Sequence, residues 1–192
     1  REAEEGITMP VYAWTNFLWH DPSLPAESPE QLPPDAHFED KGLVFLRSGW
    51  AGDESVMGFI CGAHAGRHAL ENYPQCIAGG HMSPAAGNLQ LFACGDWLLN
   101  HGAYSRKWSA YHNVILIDGK GQTGEGGEWF ECRRLRMEKR APRIVRFESH
   151  SEWALISAEI ALAYDPELGL KRWNRHLLMI RPNLWVVADD LE

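Results

Sequence analysis

The sequence predicts an all-β chain, an antiparallel β-sandwich, and three observations carry that expectation. Apolar residues recur with a period of two in runs at 42–47, 55–60, 88–93, 143–147, 153–163, 172–180 and 184–190, the alternation of strands with one buried face. Turns rich in Gly, Pro and Asp separate the runs, and many short strands so spaced build a sandwich or a curved pair of sheets. A helical period is confined to 1–20, so at most a short N-terminal helix is expected.

Taken in order, that helix would carry Glu2, Glu4 and Glu5 in its first turn and Trp14, Leu18 and Trp19 near its end, with a kink at Pro10. Pro22, Pro25, Pro29, Pro33 and Pro34 then mark a connector without regular structure. Residues 1–31 therefore read as the end of a helical region plus its connector. Residues 32–192 read as the sheet domain, cut short at its C-terminus in a strand. The run at 113–118 differs from the others. Val114, Ile115, Leu116 and Ile117 are consecutively apolar, which predicts an interior strand covered on both faces. It leaves through a glycine turn, and Gly119-Lys-Gly-Gln-Thr-Gly124 reads as that turn rather than a phosphate loop, because no helix and no Lys-Ser/Thr pair follows.

Composition narrows the classes of function. The 18 Lys and Arg against 26 Asp and Glu leave a net charge of −8, which argues against non-specific binding of nucleic acid, an affinity built from clustered cations on phosphates. The longest apolar runs are strand-sized, so no membrane span is expected. Cys61, Cys76, Cys94 and Cys132 lie far apart with no C-x-x-C spacing and read as buried free thiols. Arg133-Arg-Leu-Arg136 with Lys139-Arg140 forms a basic strip that either holds an anionic glycan or lines the wet face of a strand. Residues 171–176 alternate in the same way and read as a solvated strand face. Most of the nine tryptophans belong to sheet packing, and a few on a concave face suit stacking on sugar rings.

Chemistry concentrates in loops at strand ends, and His81, His101 and His112 all fall at such places. His81 follows Gly79-Gly80 and precedes a strand, His101 sits in a hairpin-like return, and His112-Asn113 opens the 113–118 run. Each alone reads as a hydrogen-bonded structural histidine, and three together favour a site.

The stretches Leu32-Pro-Pro-Asp-Ala-His-Phe-Glu-Asp-Lys-Gly-Leu-Val-Phe-Leu-Arg-Ser-Gly-Trp50, His112-Asn-Val-Ile-Leu-Ile-Asp-Gly-Lys-Gly-Gln122 and Ile180-Arg-Pro-Asn-Leu-Trp-Val-Val-Ala-Asp-Asp190 resemble the heparinase II/III-like polysaccharide lyases, a family that includes heparin, heparan sulfate and alginate lyases. The resemblance implies a supersandwich-like sheet domain completed by an N-terminal α/α toroid of the same protein. It implies β-elimination on a uronic-acid-containing glycan in the periplasm of a bacterium or outside the cell, with the isolated fragment inactive. The family's His-x-His-x-Asp motif falls on His81, with Ser83 in place of the second His and Ala85 in place of the Asp. Its Asp-x-Gly falls on Asn100-His101-Gly102. A family-type zinc site is therefore degraded at Ser83 and Asn100, and no cofactor is expected.

β-Elimination removes the C5 proton of a uronate once its carboxylate is neutralised, and it protonates the 4-linked leaving oxygen. By resemblance His81 is the base or the carboxylate-neutralising group, and Tyr104 or Tyr111 supplies a phenol. His112, His101, Asn100, Gln122 and Arg133 are expected to contact substrate. A non-catalytic carbohydrate-binding or structural sandwich is the alternative, supported by the losses at Ser83, Ala85 and Asn100.

Overall fold

The computed structural model of the protein describes residues 18–25, 27–73, 81–100 and 106–192. It divides into two compact units, Arg1–Gln31 and Leu32–Glu192. In the first unit Leu18, Trp19 and Leu24 are exposed. The Asp21 carboxylate accepts from the backbone and hydroxyl of Ser23, and Pro29–Gln31 makes one 3-10 turn.

The second unit holds two antiparallel meanders. One sheet runs in the order β1 (Ala36–Phe38), β2 (Leu43–Arg47), β3 (Val56–Ile60), β4 (Asn88–Ala93), β5 (Asp96–Leu99). The other runs β6 (Arg143–Ser149), β7 (Trp153–Glu159), β8 (Trp173–Ile180), β9 (Leu184–Leu191). Alternation decides which face each strand buries. Val44 and Leu46 of β2, Met57 and Phe59 of β3, and Leu89 and Leu91 of β4 form one core with Ala154, Ile156 and Ala158 of β7 and Trp173, Leu177 and Met179 of β8. Two sheets sharing one apolar core is the sandwich that the period-two runs predict.

Glycine is required where β2 begins. Gly42 sits at φ +60, and a Cβ there would lie 2.1 Å from the carbonyl oxygen of Cys61, which in turn donates its N–H to Gly42 O at 2.7 Å. Only a residue without a side chain lets these backbones meet.

Several expectations need correction. Residues 113–118 are not an interior strand: only an isolated bridge joins Ile117 to Lys120, and Leu116 is exposed. The physical reason is that side chains, not a neighbouring strand, satisfy this backbone. Asn113 N–H donates to Asn88 Oδ1 at 2.8 Å, Arg175 donates to Asn113 O at 2.7 Å, and the Tyr164 hydroxyl donates to Ile115 O at 2.7 Å. The apolar run still packs, with Val114, Ile115 and Ile117 against the core. Its glycine turn is present as a two-residue hairpin over Asp118 and Gly119, both at positive φ.

Among its described residues the sheet unit also contains two short helices, α1 (Arg67–Asn72) and α2 (Arg133–Met137). The basic strip is thus a helix rather than a strand face, and its Arg136 is buried. The stretch at 171–176 is not simply solvated, since Trp173 and Arg175 point into the core. Among the cysteines, Cys61 is a buried free thiol whose burial pushes its pKa up, Cys94 is free but exposed, and Cys132 is disulfide-bonded rather than free. The expected N-terminal helix, apart from Leu18 and Trp19, lies outside the described residues.

Candidate functional site

Three connecting segments gather around the ends of β4 and α2: 81–87 ahead of β4, 106–117, and 120–132 ahead of α2. Loops of this length are held in place only if their polar backbone finds partners, and here buried side chains provide them. Gln122, 2% exposed, clamps Ala86 from both sides, accepting from its N–H at 2.9 Å and donating to its carbonyl at 2.7 Å. Its own N–H donates to the Ser109 hydroxyl at 2.8 Å. The Glu125 carboxylate accepts from Ser109 N–H at 2.8 Å and Gly121 N–H at 2.6 Å. Arg175 completes the frame by donating from Nη1 to Gly87 O and Asn113 O, each at 2.7 Å. Its charge is matched by Asp189, whose two oxygens accept from Nε and Nη2 at 2.8 Å. Burial alone would push the Asp189 carboxyl up. The hydrogen bonds from Arg175 and Trp173 and the guanidinium charge outweigh it and hold the group below the usual range.

On this frame His81 is exposed, and its ring meets that of Trp129 edge-on with centroids 6.5 Å apart. Trp129 is 64% exposed, and Trp108 and Tyr111 are exposed on the neighbouring segment. A histidine beside an exposed indole suits a pyranose ring, whose C–H face stacks while its hydroxyls hydrogen-bond. Behind this surface the Phe130 ring packs on His64 at 4.3 Å, and Phe130, Cys132 and Leu135 form a small second core with Met82. Burial, with the Arg136 charge nearby, pushes His64 down to about 4, so its ring is neutral at pH 7.

The other expected site residues fall as follows. His112 is half-buried after the 3-10 turn Ser109–Tyr111, which carries Tyr111 at its end. Asn100 accepts from Gln90 Nε2 at 3.1 Å, and its backbone oxygen accepts from Asn113 Nδ2 at 3.1 Å. Gln122 faces inward with both amide atoms engaged, as described above. Arg133 is exposed at the start of α2 beside Glu131. Tyr104 and His101 lie outside the described residues. Among the described residues no group of three His, Cys, Asp or Glu side chains is placed to hold a metal ion.

Sequence reasoning missed Trp129 as the partner of His81 and Arg175 as the clamp. A cleft of about 560 Å³ lies elsewhere, between β1, α1 and β6, lined by His37, Asp40, Arg67, Arg143, Arg146 and Phe147 among others, and none of the expected site residues lines it.

No family model matches the sequence. Among solved structures the chain is similar to the heparan sulfate lyase HepC from Pedobacter heparinus, with a TM-score of 0.59 and 14% identity over 83% of this chain and 22% of that one. It is likewise similar to heparinase III, with a TM-score of 0.58 and 15% identity over 82% of this chain and 22% of the other. A further structure described as a heparinase III gene product matches with a TM-score of 0.58 and 14% identity over 94% of this chain and 24% of that chain. The chain spans about a quarter of the length of these lyases or less, and its fold is that of the heparinase III β-sandwich domain.

Proposed function

We propose that this domain is part of a polysaccharide lyase that cleaves a uronic-acid-containing glycan by β-elimination, completed by an N-terminal toroid domain of the same protein. The observation that carries the reading is the pairing of exposed His81 with exposed Trp129, on loops that Gln122, Glu125 and Arg175 hold in place. A proton-transfer group beside a sugar platform is what the elimination needs from this side of a cleft. His81 acts there as the base or as the group that neutralises the uronate carboxylate. Tyr111 is the described phenol for the leaving oxygen, and His112 and Arg133 contact the polymer.

The similar structures include a heparan sulfate lyase and a heparinase III, which supports a glycosaminoglycan substrate, with alginate as the second uronate polymer to try. A periplasmic or secreted location is supported by the disulfide at Cys132, a bond that the reducing cytosol disfavours.

The test is to incubate the full-length protein with heparan sulfate and with alginate and to follow the absorbance of the unsaturated uronate product. Formation of that chromophore is expected. Retention of either polymer without any cleavage would favour the non-catalytic carbohydrate-binding sandwich.

A further inference from the structure

The cleft of about 560 Å³ between β1, α1 and β6 has no part in the proposed elimination, and its volume falls among those of small-molecule sites, which run from roughly 300 to 1,000 Å³. Local structure builds its walls. Asp40, in the turn after β1, fixes α1 as one of them: its carboxylate accepts from His68 N–H at 2.7 Å and its carbonyl from Arg67 N–H at 2.8 Å. β6 supplies another. It is the edge strand of its sheet, and Val145 is left out of the pairing with β7, a bulge that breaks the alternation of faces. Five consecutive residues of β6, Arg143 to Phe147, line the cleft, where a regular strand offers every second one.

The lining mixes charges of both signs. Arg67, Arg143 and Arg146 stand with Glu39, Asp40 and Glu71, three guanidiniums against three carboxylates, so the charges cancel. His37 adds none at pH 7, because burial holds its pKa below the usual value despite the Glu39 charge nearby. Arg67 and Glu71 lie four residues apart on α1, hence on one side of it. Both are exposed, and neither side chain has a hydrogen bond or ion pair among the described residues. Arg143 and Arg146 bond to Glu159 and Glu148, acids outside the cleft, in exposed pairs of the kind worth little. Apolar contact comes from exposed Val145 and from half-buried Phe147, whose ring packs on that of His37 at 5.1 Å.

A guanidinium only donates hydrogen bonds and a carboxylate only accepts them, so a cleft that holds both fits a ligand whose polar groups each do both. Hydroxyl groups have that property, and a sugar ring carries them around its rim with C–H groups on its faces. A carboxylate or sulfate would meet Glu39 and Glu71 as well as the arginines, and a lining whose charges cancel gives it no attraction. We infer that this cleft is a second carbohydrate site, binding an uncharged pyranose unit whose hydroxyls bond to Arg67 and Glu71 and whose C–H groups lie on Val145 and Phe147. The site requires no proton transfer and stands independently of the lyase reading: it anchors a glycan apart from His81, which does not line the cleft.

The test is titration calorimetry on the full-length protein with cellobiose and N,N′-diacetylchitobiose as uncharged probes and sodium glucuronate as the charged one. The parent protein is compared with Arg67→Ala, Glu71→Ala and His81→Ala, and melting temperatures are recorded for each. Saturable binding of an uncharged disaccharide is expected, weakened at least about tenfold by Arg67→Ala and by Glu71→Ala at unchanged melting temperature, and kept in His81→Ala. Disaccharide binding that His81→Ala removes and the two α1 variants leave intact would overturn the inference. Glucuronate binding that depends on Arg67, with neither disaccharide bound, would overturn the uncharged assignment, and absence of heat from both disaccharides would overturn the site. Formation of the unsaturated uronate is read in a separate assay, so a failure of the lyase reading leaves these outcomes distinguishable.

Discussion

The Arg175 guanidinium grips Asp189 through two hydrogen bonds of 2.8 Å and, from the same buried position, reaches Gly87 O and Asn113 O at 2.7 Å. One ion pair between β8 and β9 thereby fixes two segments of the candidate site. Arg175→Met should leave the Asp189 carboxylate without its partner and two carbonyls unmet, and should lower unfolding free energy by about 1–3 kcal/mol in a urea titration. The double variant Arg175→Met with Asp189→Leu should recover part of that loss, because no orphaned charge then remains.

The same pair sets a pH dependence. The folded state holds the Asp189 carboxyl below its ordinary value of 3.8. Its stabilising contribution is therefore present above 3.8 and is lost as pH falls through the lower folded value. His64 acts at higher pH. Its ordinary value of 6.5 falls to about 4 in the fold, so protonation favours the unfolded chain, and stability should drop as pH falls from 6.5 toward 4. The urea midpoint measured across that range should decline, and His64→Phe should flatten the decline. An unchanged slope in His64→Phe would assign the decline to other groups.

Gln122→Ala should destabilise the protein by about 2–4 kcal/mol, since both polar groups of Ala86 lose their buried partner. Glu125→Ala frees two backbone N–H groups in the same network and should act in the same direction. Thermal melting checks both.

Gly42→Ala should prevent the close approach of β2 to Cys61, where a Cβ would stand 2.1 Å from a carbonyl oxygen. Gly119→Ala is the control, a residue at φ +77 with open space around it, and should cost only about 1 kcal/mol. Equal losses in the two would contradict the steric account.

Most strands were legible from their period-two runs. β4 matches its period-two run at 88–93, and β2, β3, β6, β8 and β9 differ from theirs by a residue or two at the ends. The run at 113–118 misled because its apolar residues do pack, while the bonds that decide strand or loop come from Asn88, Arg175 and Tyr164, remote in sequence. Neither short helix carries a local signal: the N-cap of α1 is Gly66 and that of α2 is Cys132, with no side-chain cap hydrogen bond at either. His81 was visible as a histidine after two glycines. Its neighbour Trp129 was not, because nothing in the spacing of 48 residues brings them together, and Arg136 looked like one charge of a surface strip until α2 turned it inward.

The central claim is that His81 does chemistry. His150 provides the comparison: it is an exposed histidine near Glu148 whose ring stacks on Trp153 at 4.1 Å, away from the loop cluster. In the full-length protein, initial rates of unsaturated-uronate formation and melting temperatures are measured for His81→Ala and His150→Ala. The account predicts that His81→Ala lowers kcat at least roughly a hundredfold with an unchanged melting temperature, while His150→Ala keeps the parent rate. Equal rates and equal melting temperatures in the two variants would contradict it and make His81 a surface histidine of a sugar-binding sandwich.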